Sequence, residues 1–301
     1  MNLPKKITIV EVGLRDGLQN ESVILPTGDK VILLKSLIES GIKNIEVTSF
    51  VHPKWVPQLA DAEALLSMIP ESRDVIYSAI VPNMKGYERL KETSIKEITL
   101  IISASEKHNK KNLNHTISES LNDLEAICKN LKDGEIRARG EISMSFGCPF
   151  EGNIPLDRVE WIVDRFYKMG ILEIILADTI GIANPRQVYD IFSSMKKLFK
   201  GVAFAAHFHD TNKMALANIL AAINAGITIF DSSIGGLGGC PFAPGASGNV
   251  ATENLVYMAA KMGIDTEIDL LKLLQSINVL EKLLNRKIEL IPALINEINI
   301  E

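Results

Sequence analysis

Cysteine is scarce in this chain. The 301 residues include three, Cys128, Cys148 and Cys240. An odd, sparse set does not make a disulfide framework, and it fits a reducing compartment. Long hydrophobic runs are missing too. No stretch nears the roughly 18 apolar residues of a membrane span. The first apolar stretch starts at Ile7 and meets Glu11 after four residues, too short for the core of a secretory signal. These absences lead us to expect a cytoplasmic protein with no membrane partner. A basic excess is lacking as well: 32 Lys and Arg stand against 37 Asp and Glu, a net charge of −5. The longest basic cluster, Lys107 to Lys111, is a local feature. General nucleic-acid binding needs a basic stripe or patch, so nucleic acid is not an expected partner. Any anionic ligand must find its cations locally.

What is present is alternation. Short β-branched runs recur at Ile7–Val12, Ile45–Phe50, Val75–Val81, Ile98–Ile102, Ile136–Ser145, Leu172–Ala177, Val202–Phe208 and Ile227–Ser232. Several lack polar alternation, as strands buried on both faces of a parallel sheet do. A helical pattern follows each run. Thr116 and Glu119 have capping-box spacing, and so do Asp157 and Glu160. Length alone suggests about two domains, but eight β-α units predict one α/β unit, a (β/α)8 TIM barrel with additional C-terminal helices. We place the barrel at about 5–263 and a helical extension at about 264–301, together one catalytic domain. The first strand ends Val12–Gly13–Leu14–Arg15–Asp16–Gly17, which is not the glycine-rich dinucleotide turn of an open sheet.

Active sites of such barrels lie at the carboxyl ends of the strands. That filter collects Arg15, Asp16, Glu46, Ser49, Asp178, His207 and His209, with Cys240 and Asn249 after the eighth strand. His207 and His209 are two apart on a strand, so they share a face about 6.5–7 Å from each other and can ligate one metal. They can equally be hydrogen-bonded core histidines. Asp16 is the natural oxygen ligand opposite, or a turn cap beside Gly17, and the Asn249 amide oxygen can complete the set. Imidazole, carboxylate and amide donors without a cysteine cluster suit Mg2+ or Mn2+ better than structural Zn2+. Arg15 can form a structural ion pair with Glu46, or be held by it and aimed at developing negative charge. Asp178 is either catalytic or a loop cap. The run Gly235 to Gly245 is glycine-rich enough for a mobile lid, in which Cys240 is a proton-handling thiol or an inert one. Cys148 and Cys128 read first as packing residues.

Together these residues resemble a known family. Val10–Glu21, with its Gly-Leu-Arg-Asp-Gly-Leu-Gln-Asn core, is similar to the opening signature of 3-hydroxy-3-methylglutaryl-CoA lyases. The resemblance continues in Thr48–Val51, Pro53–Gln58, Gly147–Gly152, Asp178–Gly181, His207–Thr211, and Gly235–Phe242 through Gly245–Glu253. It spans about Ile7 to Arg286. It implies a metal-dependent TIM-barrel lyase with Asp16, His207, His209 and Asn249 as ligands. Arg15, Glu46 and the Cys240 loop match catalytic positions. The implied reaction is a retro-Claisen cleavage of the thioester to acetyl-CoA and acetoacetate, with Asp16 or His207 taking the hydroxyl proton, Arg15 stabilising the thioester oxygen and Cys240 protonating the enolate. Asp178 joins the expected catalytic set. Arg15, Gln19, Ser49, Lys111 and Asn112 are expected substrate contacts, the last two toward the CoA. An acyl-CoA thioester is the expected partner, and residues after strand eight are candidates for a homodimer face. A related lyase or condensing enzyme acting on another 3-hydroxyacyl-CoA or a 2-ketoacid is the alternative. Two departures bear on it: Asn212–Lys213–Met214 replaces the family's usual aromatic–glycine–glutamine, and strand six reads Ile174–Ala177 where some relatives carry small polar residues and glycine.

Overall fold

The computed structural model describes residues 3–131, 136–238 and 248–298. Eight strands run parallel and close in chain order: β1 (Thr8–Glu11), β2 (Asn44–Ser49), β3 (Ile76–Ile80), β4 (Glu97–Ser103), β5 (Arg137–Ser143), β6 (Glu173–Asp178), β7 (Ala203–Phe208) and β8 (Ile229–Ser232). Each expected run overlaps one of them, with β2, β4 and β6 each reaching one residue past its run. The ring shuts where β1 pairs β8, from Thr8 opposite Ile229 to Glu11 opposite Ser232.

Helices cover the outside: α1 (Thr27–Glu39), α2 (Ala62–Met68), α3 (Met84–Leu90), α4 (Glu106–Leu113), α5 (Ile117–Asn130), α6 (Leu156–Lys168), α7 (Pro185–Leu198), α8 (Ala215–Asn224) and α9 (Thr252–Lys261). Beyond the barrel come α10 (Leu270–Leu284) and α11 (Pro292–Ile298). Side chains alternate across each strand. On β4, Ile98, Leu100 and Ile102 join the core between sheet and helices, while Thr99 turns inward to reach Glu46 on β2. Gly140 on β5 faces outward, where a Cβ would come within 2.6 Å of the Phe166 ring on α6.

The barrel lumen is unusually polar. Arg139 of β5 spans it, with Nε 2.5 Å from Glu173 and Nη2 3.4 Å from Asp231 of β8. Buried ions of this kind persist only when paired. β2 carries a bulge, since Glu46 opposes Ser78 but Thr48 opposes Ala79. Bulges re-aim side chains beside active sites, and here Glu46 points into the lumen.

The capping box at Thr116 forms: the Thr116 hydroxyl accepts from the Glu119 amide at 3.2 Å, and Glu119 accepts from the Thr116 amide at 2.8 Å. The box expected of Asp157 and Glu160 does not. α6 begins at Leu156 behind Pro155, so Asp157 falls inside the first turn and acts on the helix dipole instead.

Candidate active site

The site is assembled from the chain's two ends of the barrel. After β1 the chain makes a tight π-helical turn, Gly13–Gly17, in which the Val12 carbonyl accepts from the amides of Arg15, Asp16 and Gly17 at 3.1, 2.7 and 3.2 Å. Buried Glu11 braces it. Its Oε1 accepts from the amides of Gly13 (2.7 Å) and Ile234 (2.9 Å), and its Oε2 from the Thr252 hydroxyl (2.6 Å). The turn after β1 is thereby tied to the segment after β8. Burial raises the Glu11 carboxyl to about 7, against the pull of those hydrogen bonds.

The turn presents Arg15 and Asp16 to the mouth. Arg15 Nε donates to Glu46 Oε1 at 2.5 Å and Nη1 to Asp16 Oδ1 at 2.6 Å, while Glu46 Oε2 accepts from Thr99 at 2.6 Å. Burial opposes the Arg15 charge, but Glu46, Asp16 and Glu141 outweigh it and hold the guanidinium charged. Arg15 Nη2 stays uncommitted among the described residues, 3.8 Å from Glu141 Oε2. Burial likewise works against the Asp16 anion. Arg15 and the two imidazoles overcome it and hold the carboxyl far below the usual range. Asp16 also accepts from Gln19 at 2.6 Å and from the Asn249 amide at 2.6 Å.

His207 is the penultimate residue of β7 and His209 follows the strand, their rings 5.3 Å apart. His209 Nε2 lies 3.6 Å and His207 Nε2 4.0 Å from Asp16 Oδ2. Both exceed a good hydrogen bond. One donor atom from each of the three residues falls within 4.8 Å of the others, and all three are buried. Two nitrogens and a carboxylate oxygen that converge without closing on each other fit a divalent cation. On its other side, His207 Nδ1 lies 3.3 Å from Asp231 Oδ2. Burial lowers the His207 proton affinity, but Asp231 and Asp16 reverse this and lift it to about 9.

Asn249 reaches the site through a bridge with His209. Its amide nitrogen donates to Asp16 Oδ2 and, at 3.0 Å, to the Leu237 carbonyl; a ligand role rests on its oxygen. Gly238 makes this approach possible. Its φ is +99°, and a Cβ there would lie 2.5 Å from the Asn249 amide and 2.8 Å from the Asp16 carbonyl.

A cleft of about 380 Å3 opens over these groups, lined by Arg15, Asp16, Gln19, Ser49, Asn112, His207 and His209 among others. A larger hollow, about 720 Å3, lies at the opposite end around Tyr77, Lys96 and Arg137, with none of the gathered residues. Lys111 is not in the cleft lining; its ammonium sits 3.8 Å above the Phe150 ring. Asp178 is not in that lining either. Its oxygens accept from the amides of Ile182 (3.0 Å) and Ala183 (2.9 Å), which makes it the cap of the loop after β6. Asn212 donates to the Gly181 carbonyl at 2.8 Å and Lys213 faces Asp210 at 3.6 Å, both away from the cleft. Cys148 is buried and donates to Ser105 at 3.0 Å. Cys240 and most of the expected lid lie outside the described residues.

Sequence reasoning missed Glu141, His108 and Ser143 in the cleft lining, and Asp231 behind His207. A signal existed for two of them. Arg139, Glu141 and Ser143 are two apart on β5, the period of one strand face. Read as a single buried run, that strand hid its polar side.

A family model described as HMGL-like matches residues 6–280. The chain belongs to the HMGL-like family. A hydroxymethylglutaryl-CoA lyase of Bacillus subtilis is 46% identical over 282 residues, covering 94% of this chain and 94% of that protein. The human mitochondrial hydroxymethylglutaryl-CoA lyase is 46% identical over 285 residues, covering 95% and 88%. The crystal structure of the Bacillus subtilis HMG-CoA lyase superposes with a TM-score of 0.94 at 43% identity, covering 100% of this chain and 99% of that one. An HMG-CoA lyase from Acinetobacter baumannii, in complex with coenzyme A and 3-methylmalate, gives 0.91 at 42% identity, covering 94% and 93%. The TIM barrel expected of this HMGL-like chain is the architecture found, and its relatives are carbon–carbon lyases.

Proposed function

We propose that this protein is a divalent-metal-dependent lyase that cleaves 3-hydroxy-3-methylglutaryl-CoA to acetyl-CoA and acetoacetate. The observation that carries the reading is the convergence of Asp16, His207 and His209 beside Arg15, in an HMGL-like chain. The relative that holds coenzyme A supports an acyl-CoA partner.

The chemistry makes three demands: the tertiary hydroxyl loses its proton, charge on the thioester oxygen is stabilised, and the departing enolate is protonated. Asp16, His207 and His209 would hold the cation, with the Asn249 oxygen as the fourth candidate. Bound there, Mg2+ or Mn2+ would supply Lewis acidity toward the hydroxyl and carboxylate oxygens of the substrate. The hydroxyl proton goes to Asp16 or His207, through an atom that the cation leaves free. Both Asp16 oxygens already accept hydrogen bonds from Arg15, Gln19 and Asn249, whereas His207 is backed by Asp231, which steadies an imidazolium. Arg15, clamped by Glu46, offers its Nη2 to the thioester oxygen. Asp178 acts at one remove, by shaping the loop after β6. Cys240 remains our candidate for enolate protonation, and Ser49 and Asn112 for substrate contact. Lys111 belongs to the CoA rim in this reading.

The test is acetoacetate release from 3-hydroxy-3-methylglutaryl-CoA. Chelation should abolish it, and Mg2+ or Mn2+ should restore it. Asp16→Asn should lose turnover with either metal. Release that survives chelation would refute the metal assignment. The reading also carries a cytoplasmic location and a homodimer, checked by fractionation and light scattering; no described helix is long and apolar enough to cross a membrane.

A further inference from the structure

We propose that Glu141 is a specificity-determining residue, gripping with Arg15 the hydroxyl of a 3-hydroxyacyl thioester. The inference rests on the lyase reading and names a contact within it.

Glu141 lies on the lumen face of β5, between Arg139 and Ser143, and lines the cleft at 5% exposure. Its Oε2 has no hydrogen-bond partner among the described residues, and neither has Arg15 Nη2. The two atoms are 3.8 Å apart. That is too long for a hydrogen bond between them and short enough for one oxygen to touch both. Leaving a buried polar atom unpaired costs about 1–3 kcal/mol. Two such atoms facing each other in a cleft mark a place made for a group the chain does not supply. The other Arg15 nitrogens are taken by Glu46 and Asp16, so this end of the guanidinium is the one left for a ligand.

The chemistry of the pair restricts that group. With Glu141 ionised, it must accept from an N–H and donate to a carboxylate oxygen. A hydroxyl does both in the bound substrate, before its single proton turns to the base that removes it. A thioester or ketone oxygen cannot donate, and a carboxylate anion would meet Glu141 repulsively. Nη2 carries two N–H bonds, so one remains for the thioester oxygen while the other serves the hydroxyl. A site built to bond a hydroxyl discriminates against the analogue that lacks it, because its own polar atoms are then stranded.

The experiment uses the metal-loaded enzyme and two thioesters. One is 3-hydroxy-3-methylglutaryl-CoA; the other is 3-methylglutaryl-CoA, which lacks the hydroxyl and serves as a competitive inhibitor. Glu141→Leu should raise KM for the first about 10- to 100-fold, the loss expected for a charged hydrogen bond. Ki for the second should move less than about 3-fold on the same scale. Glu141→Gln keeps an acceptor oxygen and should fall between Leu and the natural residue. If Leu is not tolerated by circular dichroism, Glu141→Ala replaces it. KM and Ki rising together, or KM staying put, would overturn the assignment and leave a water bridging the pair. Should the natural enzyme fail to release acetoacetate, the lyase reading fails instead. Equilibrium binding of the same two thioesters then decides on Glu141 by the same pattern.

Discussion

His207 turns its Nδ1 toward Asp231, whose Oδ2 lies 3.3 Å away, and so leaves Nε2 for the cleft. Asp231 is in turn held at 3.4 Å by Arg139. Fixing one ring nitrogen selects the tautomer at the other. Asp231→Asn should weaken Mn2+ binding about 10- to 100-fold, read by calorimetric titration of a variant with native circular dichroism. Unchanged affinity would remove Asp231 from the site's support.

Arg15→Met should cut turnover about 100- to 1,000-fold, the cost of removing one donor to a developing oxyanion. Metal affinity should stay within a few-fold on that scale, since Arg15 touches Asp16 but is not a ligand. Near-normal turnover would end the role given to Nη2.

Much of this is legible in the sequence. Arg15, Asp16, His207 and His209 were found because strand periodicity and the barrel rule say where side chains go. Glu46 was found as the partner of Arg15, although the bulge at Val47 that aims it inward leaves no mark in residue type. Asp178 is legible only as a choice between catalysis and capping, because both use a carboxylate beside a glycine turn; the amides of Ile182 and Ala183 show that it caps the loop. Glu141 and Asp231 stayed hidden, because a charged residue inside a strand declares burial only once its cross-barrel partner is known. Arg139, the partner of Asp231, is 92 residues away.

Stability should fall as pH rises toward neutrality. Buried Glu253 is raised from 4.5 to about 7, chiefly by burial and despite hydrogen bonds including one from the Gly235 amide at 3.0 Å. The folded chain therefore keeps a proton that the unfolded chain releases. Its contribution is fully present below about 4.5 and lost as pH climbs through about 7. Glu11 has the same sign and window. Glu253→Gln should leave stability at pH 4.5 little changed and raise it at pH 8 by about 1–3 kcal/mol. Urea midpoints at the two pH values check this, and an equal shift at both would contradict it.

Gly238→Ala should do damage out of proportion to one methyl group. Its φ of +99° is hostile to a side chain, and the new Cβ would press on Asn249 and Asp16. We expect a loss of about 1–3 kcal/mol in stability, with weaker Mn2+ binding from the displaced pair. A variant equal to the natural protein in both measurements would show that the backbone there yields freely.

Asn249 and Asp16, joined at 2.6 Å, are 233 residues apart in the chain, and their neighbourhood exists only because β1 meets β8. Contacts of such separation form late, since the entropy of closing so long a loop must be met first. A nascent chain that has emerged only through β6 owns Arg15, Asp16 and Glu46 but not the imidazoles that face them. Cation capture is thus a reporter of completed ring closure, and stopped-flow metal binding during refolding should trail the appearance of helix.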